Sequence, residues 1–274
     1  MNSKTGRSGF SPTCRAEARP TNVHVESTGH GPDLVLLHGW GMHGGVWDGV
    51  RDGLAQHFRV HAVDLPGYGA SPASGPITLE RMADALTQAF PQPVHVCGWS
   101  LGGQVALTWA LRFPEQVARL ILVAATPCFT TRPDWPCGMD AAVLREFEQG
   151  LQADYEGTLK RFLSLQARSG EDARAVMAQL RQTLFARGRP DPAALTAGLE
   201  ILLHTDLRQH MQDVKQPTLL IHGDHDTLVP LAAAQWLRDH LPQARLETVK
   251  GSAHAPFLSH GREFIEQVTG FLHE

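Results

Sequence analysis

The sequence predicts an α/β fold, a mostly parallel central sheet flanked by helices and interrupted by a helical cap insertion. From about residue 33, short apolar runs alternate with helical patterns, as β–α–β units do around a sheet buried on both faces. Between 127 and 206 that rhythm gives way to consecutive amphipathic helical stretches. After 206 the alternation resumes, so the later segment is expected to rejoin the same sheet.

Residues 1–21 come first and read as a flexible tail, with Lys4, Arg7, Arg15 and Arg19 set among Ser, Pro and Thr. They lack the apolar stretch of a secretory signal. The core is expected over 22–126 and 207–274, and the cap (lid) over 127–206. Strands are expected at 34–37, 60–63, 94–97, 120–123 and 218–221, with a weaker one at 246–249. Helices are expected at 79–90, 101–113, 232–241 and 263–272. Inside the cap, Pro133, Pro136, Gly170 and the turn signals at 188–192 separate the helical stretches.

A chain of 274 residues suits one catalytic body with a large core or a core carrying an insertion. Its hydrophobic share of 42% and charged share of 19% are ordinary for a soluble globular protein. A net charge of -4 offers no general attraction to nucleic acid or to an anionic membrane, and no apolar run is long enough to span a bilayer. Neither is expected as a partner, and any cationic site must be local. Cys14, Cys97, Cys128 and Cys137 show no CxxC pair and no metal-ligand spacing. They read as reduced thiols of a cytoplasmic protein, which is expected to be a monomer.

The sharpest chemical signal is Gly98-Trp99-Ser100-Leu101-Gly102-Gly103, directly after one expected strand and directly before a helix. G-x-S-x-G in that setting is a nucleophile elbow, a tight strand-to-helix turn that lifts the serine Oγ clear of the sheet. Its glycines stand where a Cβ would meet neighbouring backbone. A glycine-rich turn with an incidental serine would carry the same letters, and the flanking strand and helix weigh against it. The amide of Leu101, opening the helix, is a candidate oxyanion donor. A second is expected from the loop after 34–37, where His38-Gly39-Trp40-Gly41 offers the amide of Trp40. The Trp40 indole would line the pocket or simply pack.

The base must follow late in the chain, since this arrangement runs nucleophile, acid, base. His254, in Gly251-Ser252-Ala253-His254-Ala255-Pro256-Phe257, sits after the last expected strand and before the last helix. His260 and His273 fall on the flank of that helix or at the terminus and read as surface or packing residues. The acid should follow 218–221, where His222-Gly223-Asp224-His225-Asp226 offers two carboxylates. Position alone leaves Asp224 and Asp226 both open. The cluster also suggests a metal centre, a reading we reject because the further ligands of a hydrolytic site are missing nearby.

These motifs resemble those of α/β hydrolases, whose G-x-x-D-x-x-V-P pattern selects Asp226 as the acid and leaves Asp224 as a turn residue. After residue 30 the chain more closely resembles the pimeloyl-[acyl-carrier protein] methyl ester carboxylesterases of biotin biosynthesis. The shared stretches in the core are Leu36-Leu37-His38-Gly39-Trp40-Gly41, Asp64-Leu65-Pro66-Gly67-Tyr68-Gly69, the elbow, and His254-Ala255-Pro256-Phe257. Far more particular are the cap stretches Pro127-Cys128-Phe129, Trp135-Pro136, Arg161-Phe162-Leu163, Gly198-Leu199-Glu200-Ile201-Leu202 and Asp206-Leu207-Arg208. The resemblance implies hydrolysis of the methyl ester on a pimeloyl chain carried by acyl-carrier protein, by Ser100, Asp226 and His254, with no metal or organic cofactor. It also implies a pocket lined by Trp40, Ser100, Leu101, Phe162, Leu163, Ser164, Leu165, Gln166 and His254.

Between 157 and 190 the cap carries seven basic residues, Lys160, Arg161, Arg168, Arg174, Arg181, Arg187 and Arg189, against the acidic pair Glu171 and Asp172. Such a face would attract an acidic carrier protein, or it is merely a solvated helical face. The resemblance assigns carrier contact to Arg161 and Arg174; Gly157 and Ala178 occupy two further positions that are basic in the family, and Lys160, Arg168 and Arg181 are candidate substitutes. Two rival functions remain open, a general carboxylesterase acting on small free esters and a binding protein that keeps the fold without turnover.

Overall fold

A computed structural model describes residues 23–73, 75–167 and 170–274. The expected tail at 1–21, Cys14 and Arg168 lie outside the described residues. The core is a seven-stranded sheet of β1 (His24–Thr28), β2 (Asp33–Leu37), β3 (Arg59–Asp64), β4 (Val94–Trp99), β5 (Val117–Val123), β6 (Thr218–Gly223) and β7 (Ala244–Val249). Their spatial order is β1-β3-β2-β4-β5-β6-β7. Every pairing is parallel except β1 with β3, where Ser27 lies opposite His61. The six expected strands are all present, and β1 is an addition at the sheet edge. Its sequence, His-Val-Glu-Ser-Thr, has one strong apolar residue and an exposed Ser27, so nothing in it reads as a buried strand. Central strands are apolar throughout because helices cover both faces, and Leu34, Val35, Leu36 and Leu37 are wholly buried. Each such side chain contributes roughly 1.5–3 kcal/mol by leaving water.

The core helices are α1 (Asp48–Leu54), α2 (Leu79–Ala89) and α3 (Leu101–Arg112), followed after β6 by α8 (Leu231–His240), α9 (Pro256–Ser259) and α10 (Gly261–Leu272). α2 starts where Thr78 Oγ1 accepts the amide of Arg81. Between β5 and β6 lie α4 (Ala141–Ala153), α5 (Tyr155–Ala167), α6 (Ala173–Leu184) and α7 (Pro192–His204). α4 and α7 are capped alike, Asp140 accepting from the amide of Ala142 and Asp191 from that of Ala193, with Pro192 in the first turn of α7.

This helical segment is joined to the sheet through its own peptide groups. The carbonyl of Leu195 accepts from Trp40 Nε1 at 2.8 Å, that of Ala194 from Tyr68 Oη at 3.1 Å, and that of Thr183 from His43 Nε2 at 2.8 Å. The carbonyl of Gln166 accepts the amide of His254 at 3.1 Å, while the amides of Glu171 and Asp191 donate to Gly251 and Gly67. One side chain makes the opposite reach. Arg187, between α6 and α7, donates to buried Asp64 at 2.9 Å and to Glu26 at 2.5 Å. Asp64 Oδ1 also accepts the amide of Gly44 and its Oδ2 that of Ala70. Burial alone would raise the pKa of Asp64, but these amides and Arg187 outweigh it and hold the carboxyl below its ordinary value. Among the described residues, no helix is long and apolar enough to cross a membrane.

Candidate active site

Ser100 stands between β4 and α3 with φ 55° and ψ -116°, in the left-handed half of backbone space. Holding a non-glycine residue there costs on the order of 1–3 kcal/mol. The turn is held by what surrounds it. A Cβ on Gly98 would sit 2.3 Å from the carbonyl oxygen of Gly102, and one on Gly102 would sit 2.4 Å from that of Leu37. Neither position tolerates a side chain, so α3 lies directly on the ends of β2 and β4. The amide of Ser100 donates to Val123 across the sheet. Ser100 is 4% exposed.

Asp226 and His254 meet beside this turn. Nδ1 of His254 donates to Asp226 Oδ2 at 2.8 Å, and Asp226 Oδ1 accepts the amides of Leu228 and Val229, each at 2.9 Å. Burial would raise the pKa of Asp226, but His254 above all, with the Val229 amide, keeps it below its ordinary value, so it is a carboxylate at neutral pH. With the Nδ1 proton directed at that carboxylate, Nε2 of His254 carries the lone pair. It is buried and has no hydrogen-bond partner among the described residues, so the Ser100 Oγ to Nε2 bond is not made in this conformation. Such bonds are often long before substrate binds.

Asp224 turns away, its Oδ1 accepting the amide of Gly251 at 2.8 Å. His222 is buried on β6, donating from Nε2 to the Val229 carbonyl at 2.8 Å and lying 3.5 Å from Asp226 Oδ2. Burial lowers its pKa against the pull of Asp226, so it stays neutral and leaves the carboxylate to His254. Among the described residues, no group of three or more His, Cys, Asp or Glu side chains could hold a metal. His260 bonds Ser259 Oγ, and His273 packs by its ring against His57 and Phe58.

The oxyanion candidates flank Ser100. Leu101 opens α3, where the amide has no intrahelical acceptor and the helix dipole favours negative charge. The Trp40 amide belongs to the peptide whose carbonyl, on Gly39, accepts from His38 Nδ1 at 2.8 Å and from the amide of Met42 at 3.2 Å. A trans peptide directs its C=O and N–H oppositely, so anchoring the Gly39 carbonyl turns the Trp40 N–H the other way. The far nitrogen of His38, Nε2, accepts the amide of Leu65 at 3.0 Å, which requires a neutral ring. Burial pushes its pKa down to about 4.

The Trp40 indole is buried, edge-on to Phe162 with ring centres 4.6 Å apart, and Phe162 in turn meets Phe147 at 5.3 Å. Phe162, Leu163 and Gln166 form the buried face of α5, with Leu165 half-buried. Ser164 departs from the expected lining. It is exposed and bonds back to the Lys160 carbonyl, because a helix repeat of 3.6 residues carries it round to the outer face. The expected basic face is also thinner than the sequence suggests. Arg187 is spent on Asp64 and Glu26, and Lys160 and Arg189 share Glu156. Arg161, Arg174 and Arg181 are exposed with no ion pair among the described residues, Arg161 lying 5.7 Å over the Phe147 ring.

Residues 32–261 match the family model of the alpha/beta hydrolase fold. A pimeloyl-[acyl-carrier protein] methyl ester esterase of Nitrosomonas europaea is 50% identical over 244 residues, covering 89% of this chain and 97% of the relative. One of the same name from Aeromonas hydrophila is 45% identical over 253 residues, covering 92% and 99%. Among solved structures, an esterase from Exiguobacterium antarcticum superposes with a TM-score of 0.84 at 26% identity, covering 92% of this chain and 96% of that one. A bromoperoxidase from Bacillus anthracis gives 0.84 at 25% identity, covering 92% and 95%.

Proposed function

The chain belongs to the α/β-hydrolase family and, within it, to the pimeloyl-[acyl-carrier protein] methyl ester esterases, and we propose that it frees the carboxylate of a pimeloyl chain held on acyl-carrier protein, releasing methanol, as a step of biotin biosynthesis. It is a carboxylic ester hydrolase. Ser100 attacks the ester carbonyl while His254 Nε2 takes the Oγ proton, and Asp226 holds the imidazole in the needed tautomer and stabilises the imidazolium. The amides of Trp40 and Leu101 hold the oxyanion. His254 then hands its proton to departing methanol, and water activated by the same nitrogen cleaves the acyl-enzyme. The observation that carries this reading is the buried His254–Asp226 pair at 2.8 Å beside a serine in a left-handed turn.

The cap supplies the carrier side of the reading. Phe162, Leu163, Leu165 and Gln166 face the methylene chain with Trp40, while Arg161, Arg174 and Arg181 meet the acidic carrier and orient it. Ser164 is left out of that lining. The enzyme works in the cytoplasm as a monomer, in keeping with Cys97, Cys128 and Cys137 being free thiols.

The test compares kcat/KM for pimeloyl methyl ester on acyl-carrier protein with that for a short p-nitrophenyl ester. A preference of tenfold or more for the carrier substrate, about 1.4 kcal/mol of transition-state stabilisation, is expected. A short ester that wins while the carrier substrate goes untouched would leave a general carboxylesterase.

A further inference from the structure

We propose that Trp99, the first variable residue of the elbow motif, is a positioning residue for the general base, acting through the main-chain carbonyl of His254. The inference rests on the reading of Ser100, His254 and Asp226 given above and adds to it how the base is kept on station.

His254 is fixed at three points. Its ring donates to Asp226, its amide donates to Gln166 of α5, and its carbonyl accepts Trp99 Nε1 at 2.8 Å. The first two bonds come from a loop and from the cap. The third comes from the last residue of β4, in register with Val123 on β5 and immediately before the nucleophile. It is therefore the one bond that refers the base directly to the strand that carries Ser100.

The indole reaches further than its N–H. Its ring lies 5.8 Å from the imidazole of His254 and edge-on to Phe257 at 5.1 Å. On its other side it fills the space above Gly39, where an added Cβ would sit 3.0 Å from Trp99 Cε3 and 3.3 Å from Ser100 Cβ. A single buried side chain thus touches the base loop and the oxyanion loop while its own backbone leads into the elbow. The distance between base and nucleophile is thus tied by a direct contact between residues 155 positions apart in the chain.

Trp47 provides an internal control. It is equally buried and packs on the same Phe257, with ring centres 4.2 Å apart, yet its Nε1 has no hydrogen-bond partner among the described residues. Trp47→Phe removes the same ring volume without removing a bond to the base.

The experiment measures kcat and KM on a p-nitrophenyl ester, and the rate of fluorophosphonate labelling, for wild type, Trp99→Phe and Trp47→Phe. Denaturation midpoints are recorded alongside. Trp99→Phe is expected to lower kcat and the labelling rate ten- to hundredfold with KM within about twofold, because His254 must activate Ser100 in both reactions. Its pH profile of kcat/KM should also be displaced from wild type. Trp47→Phe is expected to lower the midpoint with kcat within about twofold. Replacing Trp99 with β-(3-benzothienyl)alanine keeps the bicyclic shape and exchanges N–H for sulfur, so the loss should persist even if Trp99→Phe folds poorly. Equal kcat for the Trp99 and Trp47 variants, or full activity with the sulfur analogue, would overturn the inference. Wild type that hydrolyses short esters and ignores the carrier substrate would overturn the proposed substrate and leave this inference standing. Full activity in Ser100→Ala would overturn both.

Discussion

At the rim of the sheet, Gly98, Gly102 and Asp226 are each tightly constrained beside Ser100. A Cβ added at Gly98 or Gly102 would stand 2.3 or 2.4 Å from a backbone oxygen, and Asp226 has both carboxylate oxygens engaged. In the cap, α5 offers a buried face of Phe162, Leu163 and Gln166 and an outer face where Ser164 and Arg161 meet solvent. On the proposed mechanism the rim holds the groups that break the bond and the cap holds the face that meets the substrate. A change at the first should therefore act on kcat, and one at the second on stability or KM.

The largest effect should come from the rim. Asp226→Asn is expected to lower kcat by about 10⁴, because the amide favours the wrong imidazole tautomer, with KM little changed. Steady-state kinetics on a short ester decides it, and a loss under tenfold would mean that the carboxylate is a structural tie and not the orienter. Next comes the joint between the regions. Arg187→Ala leaves the carboxylate of Asp64 buried with amide partners only, and should destabilise the protein by about 3 kcal/mol in urea denaturation. A cost below 1 kcal/mol would show that the peptide contacts alone seat the cap.

Acid should loosen the rim in a defined window. His38 takes a proton at its ordinary value of 6.5 when unfolded and only at about 4 when folded. The unfolded chain thus binds more protons between those values, and stability, full above pH 6.5, falls as the pH drops toward 4. The contribution is on the order of 3 kcal/mol. His43 and His222, also lowered by burial, push the same way. Urea midpoints at pH 7 and pH 5 measure the slope, and His38→Asn should flatten it. The smallest effect belongs to the outer cap. Arg161→Glu combined with Arg174→Glu should raise KM for the carrier-bound ester about tenfold, roughly 1.4 kcal/mol, and less so at high salt, while sparing a short ester. Equal loss on both substrates would indicate a misfolded cap.

The same division governs what could be read from the chain. Ser100 and Asp226 could be proposed from sequence because elbow and acid loop each follow a strongly apolar strand, and His254 because its loop lies between the weaker β7 and the last helix. β1 could not, since an edge strand pairing on one side needs little apolar surface. α1 was missed because its seven residues are too few to show a period. The resemblance implies a continuous lining over 162–166 that includes Ser164, whereas a helix exposes part of every turn and Ser164 falls on its outer face. Arg187 looked like one more surface cation until the fold set Asp64, 123 residues away, within its reach. Contacts of that span leave no local trace in sequence.

The cap's manner of attachment bears on how such enzymes diversify. Its bonds to the core are made largely by the carbonyls of Gln166, Thr183, Ala194 and Leu195 and by the amides of Glu171 and Asp191, while the core answers with Trp40, Tyr68 and His43. Every amino acid brings a carbonyl, and all but proline an amide, so those handholds survive almost any replacement in the helices that carry them. The outer surface of these helices can therefore change residue by residue while the peptide bonds that seat them on the core keep their partners.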